Sequence, residues 1–124
     1  MQVSIPYGRG HLPLDVPDGR LKAVLTSKLH ELKAEAPESE IVRKSLENPI
    51  GTPRLRELAR GKKNVVIISS DHTRPVPSRI IMPLLLEEVR AGNPDADVTI
   101  LVATGGHRAT TRKELVERYG QEMV

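Results

Sequence analysis

An α/β fold organised around a parallel strand–helix–strand unit is what this sequence predicts, and three features predict it. Two short aliphatic runs, Val65–Ser69 and Asp97–Val102, have the length and apolar content of strands covered by helices. Between them lies a segment of helical period, from Ser78 to just before Gly92-Asn93-Pro94, that would bury Ile80, Ile81, Leu84, Leu85 and Val89. Each run then stops abruptly in polar residues, Ser70-Asp71-His72-Thr73-Arg74-Pro75 after the first and Thr104-Gly105-Gly106-His107-Arg108 after the second. Strands joined by a crossover helix lie parallel, so both tips emerge at one carboxyl edge, where open α/β sheets hold their ligands. Function is expected there.

The other elements follow in chain order. Residues Gln2 to Val16 alternate apolar and other positions around Tyr7-Gly8-Arg9-Gly10, the pattern of an N-terminal edge hairpin, and Pro6 and Pro13 suit an edge. From Gly19 the period changes: Leu21, Val24, Leu25, Lys28, Leu29 and Leu32 share one helical stripe, closed by Ala34 to Pro37. A second amphipathic piece covers Ser39 to Leu46. Thr52-Pro53 opens a short helix, with content Arg54 to Arg60 and Gly61 as its left-handed end. Pro83 removes a hydrogen bond from the crossover helix, which therefore begins later than Ser78 or bends. After the second strand, Thr111 and Glu114 are spaced as a capping box for a helix running to Tyr119, with Gly120 as its stop.

With 124 residues, the chain is long enough for one domain that buries roughly two thirds of its unfolded surface. Its core must be aliphatic, because there is no Phe or Trp and only Tyr7 and Tyr119. The absence of cysteine excludes a disulfide framework and thiolate metal sites. No apolar run suits a signal peptide or a membrane span, so a cytoplasmic location is expected. Nineteen Lys and Arg against sixteen Asp and Glu leave +3, interspersed along the chain. Without a basic stripe or aromatic platforms, nucleic-acid binding is disfavoured, and a small anionic ligand suits the balance better.

At the two tips Asp71, His72, Thr73, Arg74, His107 and Arg108 are the candidates. Histidine exchanges a proton near neutrality, and a guanidinium fork grips a carboxylate through two parallel hydrogen bonds. Gly105-Gly106 let backbone approach a ligand and place His107 just before a helix N-terminus, a setting for anion binding. Together these residues describe a site for a small carboxylate that loses a proton from oxygen. A two-histidine, one-carboxylate metal site from Asp71, His72 and His107 is disfavoured, because adjacent side chains on extended backbone point apart. His11 and His30 read as surface residues. Neither a dinucleotide loop, a P-loop nor a nucleophile elbow is present.

Asn48-Pro49-Ile50-Gly51, Glu57-Leu58-Ala59-Arg60-Gly61-Lys62, Val66 through Ser78 and Ile100 through Arg108, followed by Glu114-Leu115-Val116 and Tyr119-Gly120, resemble the nickel-pincer lactate racemase family. The resemblance extends from Ile5-Pro6-Tyr7 to the last residue and implies that residues 1–124 correspond to the N-terminal portion of that family's N-terminal α/β domain, its members being several times longer. It implies a racemase or epimerase of a small 2-hydroxy acid, lactate foremost, using a nicotinate-derived mononucleotide whose sulfur and carbon atoms hold nickel. It further implies that His107 is one of two acid/base histidines, that Arg74 contacts the substrate carboxylate, and that Asp71 and Thr73 contact the cofactor. The second histidine, the cofactor-bearing lysine and the nickel-ligating histidine belong in the family to later sequence, so no metal ligand is assigned here. The 124 residues alone are expected neither to retain nickel nor to racemise anything. An open sheet edge is expected to pair with the remainder of the polypeptide or with a second copy. The alternative is a carboxylate- or phosphate-binding module without catalysis.

Overall fold

Residues 1–124 are all described in the computed structural model, which divides into two units, Met1–Lys33 and Ala34–Val124. In the first, β1 (Gln2–Tyr7) pairs antiparallel with β2 (Gly10–Asp15), from Gln2 opposite Asp15 to Tyr7 opposite Gly10. Gly8 turns the corner at φ +58, a conformation that costs glycine little. The Met1 amino group closes the open end by donating to the Val16 carbonyl at 2.9 Å and pairing with Asp18 at 2.6 Å.

The helix expected over Leu21 to Leu32 does not form. Only the 3-10 turns Asp18–Arg20 and Leu29–Glu31 interrupt an irregular segment, and Val24, Leu25, Leu29 and Leu32 are exposed. The physical reason is that an amphipathic stripe stabilises a helix chiefly by being buried, and the hairpin of this unit offers those leucines no surface to bury against.

The second unit holds α1 (Glu38–Glu47), α2 (Leu55–Leu58), β3 (Asn64–Ser70), α3 (Ser78–Gly92), β4 (Asp97–Ala103) and α4 (Arg112–Tyr119), closed by a 3-10 turn, Gln121–Met123. β3 and β4 are parallel, in register from Asn64 opposite Asp97 to Ser70 opposite Ala103. One face of this two-stranded sheet, carrying Val65, Ile67, Ser69, Val98, Ile100 and Val102, is at least half-buried, whereas Val66, Ile68 and Leu101 on the other face stay exposed. Tyr119 is buried where α4 meets the sheet, and its hydroxyl donates to Ser69 Oγ at 2.9 Å. Among the large side chains Val89 of α3 is fully buried, with Met82 and Leu84 nearly so.

Two sequence expectations need adjustment. The crossover helix starts at Ser78 and continues through Pro83, which lies at an exposed position. α2 begins at Leu55, two residues later than a Thr52-Pro53 start. Its N-cap is Arg54, whose amide donates to the Glu57 carboxylate at 3.3 Å, so the reciprocal carboxylate does the capping that Thr52 was expected to do. Gly61 does end this segment at φ +67.

α2 is locked to α3 by an ion cluster. Glu88 is buried and accepts from the Arg54 guanidinium at 2.8 Å and from Arg56, whose Nε reaches both of its oxygens. Hydrogen bonds from Arg56 first, then Arg54, hold the Glu88 carboxyl at about 2 against the opposing effect of burial. Asn93, just past α3, donates to the carbonyls of Ala59 at 3.3 Å and Lys62 at 2.8 Å, tying the α2 exit to the same place. Gly92 makes this approach possible, because a Cβ there would stand 1.8 Å from the Arg56 carbonyl oxygen.

Gly92→Ala should therefore destabilise the second unit by about 2–3 kcal/mol through overpacking against backbone, read as a lowered denaturation midpoint at unchanged m-value. Glu88→Gln should cost ~2 kcal/mol, less than the ~3–5 of a fully buried pair because both arginines reach water. Since the folded Glu88 carboxyl lies below its ordinary 4.5, its stabilisation is complete above that pH and is lost as pH falls toward 2. Thermal melts from pH 5 to 2 should show that decline, and the slope should flatten in Glu88→Gln.

Candidate active site

The parallel register brings the ends of β3 and β4 side by side, and the two polar tips meet. Asp71, the first residue after β3, is buried to 3% side-chain exposure, while His107 across from it is 49% exposed. His107 Nδ1 lies 2.6 Å from Asp71 Oδ2, and the other oxygen, Oδ1, accepts from the amide of Thr73 at 3.1 Å and its hydroxyl at 2.6 Å. This is the local turn that aspartate makes with the second residue on, here extended by a hydroxyl. The bonds from Thr73 first, then from His107, hold the Asp71 carboxyl at about 2. An ionised carboxylate can only accept, so Nδ1 of His107 carries the hydrogen and Nε2 is left as the basic nitrogen. His107 itself is presented by a turn in which its amide donates to the Thr104 carbonyl at 3.0 Å, with Gly105 at φ +58. The space in front of Gly105 and Gly106 is open, with no atom within 4 Å of where a Cβ would stand.

Arg74 is exposed on the same loop as Asp71, and its guanidinium enters none of the chain's ion pairs. The loop is a succession of tight turns: the Arg74 amide donates to the Asp71 carbonyl at 3.3 Å, Val76 to Arg74 at 2.8 Å and Ser78 to Val76 at 2.8 Å. Pro75 and Pro77 sit at the centres of the last two, where a fixed φ matches the turn.

The remaining candidates are drawn elsewhere. Arg108 turns back to Glu114, donating to both of its oxygens at 2.9 and 2.6 Å. Glu114 also accepts from the Thr111 amide at 2.8 Å and hydroxyl at 2.9 Å, and His72 Nε2 lies 3.5 Å from it. Arg108 foremost pushes the Glu114 carboxyl far below the usual carboxylate range. The expected anion site at the helix after His107 is thereby corrected: α4 starts five residues on, and its own Glu114 already occupies the N-terminal turn. His72 faces a separate cleft of about 310 Å³, shared with Ser78, Arg79, Glu114, Glu117 and Arg118. No three His, Asp or Glu side chains stand close enough to hold a metal ion together.

Sequence reasoning did not single out Arg118. Its guanidinium donates to Ser70 Oγ at 2.7 Å and to the Arg74 carbonyl at 3.0 Å, partners 48 and 44 residues away in the chain. No local pattern signals such a contact.

A family model described as the lactate racemase N-terminal domain matches residues 7–124. The lactate racemase of Thermoanaerobacterium thermosaccharolyticum is 54% identical over 122 residues, which are 98% of this chain and 29% of that protein. The lactate racemase of Lactiplantibacillus plantarum is 49% identical over the same shares. The solved structure of the lactate racemase apoprotein from T. thermosaccharolyticum superposes with a TM-score of 0.83 at 52% identity, covering 100% of this chain and 28% of that one. The chain spans less than a third of the length of these relatives. A family match over residues 7–124, reinforced by a shared fold at half the positions identical, means that this chain belongs to the lactate racemase N-terminal domain family.

Proposed function

We propose that this chain supplies one acid/base histidine and the carboxylate grip of an enzyme that racemises a small 2-hydroxy acid, with lactate the first candidate. The observation that carries the reading is the 2.6 Å bond between His107 and the buried, ionised Asp71 at the rim of two parallel strands. It fixes the imidazole in the tautomer that leaves Nε2 free, on a ring half open to solvent. A base so placed can take the proton of a substrate hydroxyl. Arg74, unpaired and on the neighbouring loop, can hold the carboxylate through two parallel N–H bonds.

The chemistry accounts for why oxygen, and not carbon, is the site of deprotonation. Removing the hydrogen at carbon as a proton beside an ionised carboxylate would gather two negative charges on adjacent groups. Losing the hydroxyl proton to His107 while that hydrogen departs with its electron pair leaves a neutral ketone. Return to the opposite face inverts the centre, provided that the carboxylate grip keeps the acid in place meanwhile.

The family implies a nickel-pincer nucleotide. The side chains here fit its organic part and not its metal. Thr73 presents a hydroxyl oxygen and the Gly105-Gly106 backbone leaves open space, but no donor cluster suits nickel. By the family resemblance Asp71 and Thr73 would contact the nucleotide; here Thr73 is the exposed member, and Asp71, its oxygens engaged by Thr73 and His107, stands behind it. When bound, that group supplies the hydride acceptor.

In the full-length, cofactor-loaded protein, His107→Ala should lower racemisation by 10²–10⁴-fold while cofactor content is unchanged, and near-normal turnover would end the assignment. Asp71→Asn should cost on the order of a hundredfold in turnover by releasing the imidazole from its productive orientation. Nitrogen-15 spectra of His107 check the cause directly: a single Nδ1–H form should give way to a tautomer mixture, and unchanged spectra would remove Asp71 from this role.

A further inference from the structure

We propose that Arg118 is a positioning residue that aims Arg74 at the substrate carboxylate. The proposal rests on the reading of Arg74 as the carboxylate grip. One guanidinium, carried on α4, spans the β3 tip: it donates to Ser70 Oγ, at the last residue of the strand, and to the carbonyl of Arg74, four residues on. The Arg74 carbonyl is also the acceptor of the Val76 amide, closing the turn over Pro75. Arg74 is therefore held through its main chain from two directions while its side chain stays free. Between Asp71 and Ser78 the loop's other main-chain bonds are internal to it or run into the first turn of α3, where Ile80 and Ile81 donate to the Pro77 carbonyl at 3.0 and 3.1 Å, so none of them sets the attitude of Arg74 to the sheet. Arg118 supplies that reference, since its helix is itself docked on β3 by the buried bond from Tyr119 to Ser69.

The arrangement is not an economical way of attaching a helix. Arg118 Nε is buried with no partner, so the docking gains less than a fully bonded guanidinium would provide. What it achieves is placement. A flexible ammonium cannot reproduce it, because two acceptors on different residues are met by the two ends of one planar fork.

The test is steady-state racemisation by the full-length, cofactor-loaded protein, with both lactate enantiomers. Arg118→Gln should raise KM about tenfold for each, with kcat at saturation changed less than twofold, and Arg118→Lys should fall between. In an Arg74→Ala background, Arg118→Gln should change KM no further, because the two act on one contact. Effects that multiply, or a loss confined to kcat, would overturn the positioning role. If Arg74→Ala raises KM and Arg118→Gln does not, this inference alone fails; if Arg74→Ala leaves KM unaltered, the carboxylate-grip reading fails with it. Should Arg118→Gln not fold, Ser70→Ala removes one of the two anchors with little change in volume. It must then raise KM severalfold, and an unaltered KM would count against the proposal.

Discussion

The parallel pairing of β3 with β4 is the constraint on which the site depends. With Ser70 opposite Ala103, the next residues of the first strand and the turn after the second leave the sheet side by side, and Asp71 can meet His107 across 36 residues of chain. A slip of one residue would exchange the two faces of a strand, sending Ser69 away from Tyr119 and moving Asp71 out of line with its partner. The connection between the two strands is α3, whose Val89 and Met82 are buried within this unit. α3 is in turn fixed to α2 by Glu88 and by the close approach that Gly92 permits.

The geometry of the candidate site is thus set by two loops leaving a paired sheet, and the loops are restrained by polar bonds with distinct tasks. Asp71 satisfies its turn through one oxygen and orients the imidazole through the other. Glu114 gathers Arg108 and Thr111, so the turn after β4 is fastened to the start of α4. Each carboxylate is held ionised by its hydrogen-bond donors, which keeps a fixed negative charge where the structure needs an acceptor. Of the basic side chains at the rim, Arg108 is consumed by this framework and Arg74 is not, which separates a structural cation from one available to a ligand.

The exposed sheet face of Val66, Ile68 and Leu101 has a related meaning. A parallel sheet ordinarily has helices over both faces, and here α3 and α4 leave one uncovered. The continuous apolar run from Val65 to Ile68 is of the kind found in strands buried on both faces.

Much of the second unit was legible from residues alone because the signals there are local and strong. The strand–helix–strand order, the capping box at Thr111 and Glu114, the left-handed stop at Gly61 and the emergence of the two polar tips at one sheet edge all follow from short-range pattern plus the handedness of crossovers. The stripe from Leu21 to Leu32 carried an equally clear helical period and formed no helix, since periodicity states only which face would be buried, not whether anything is there to bury it. Arg108 and Arg118 show the same limit for charge. Arg108, in the turn before α4, pairs with Glu114 in the first turn of that helix, whereas Arg118, inside α4, reaches Ser70 and Arg74. By itself, then, the sequence determined the α/β class, the two polar tips and the chemistry their residue types allow. Only the tertiary structure decided which donors meet which acceptors, because such bonds join positions tens of residues apart whose proximity is set by packing and leaves no trace in local pattern.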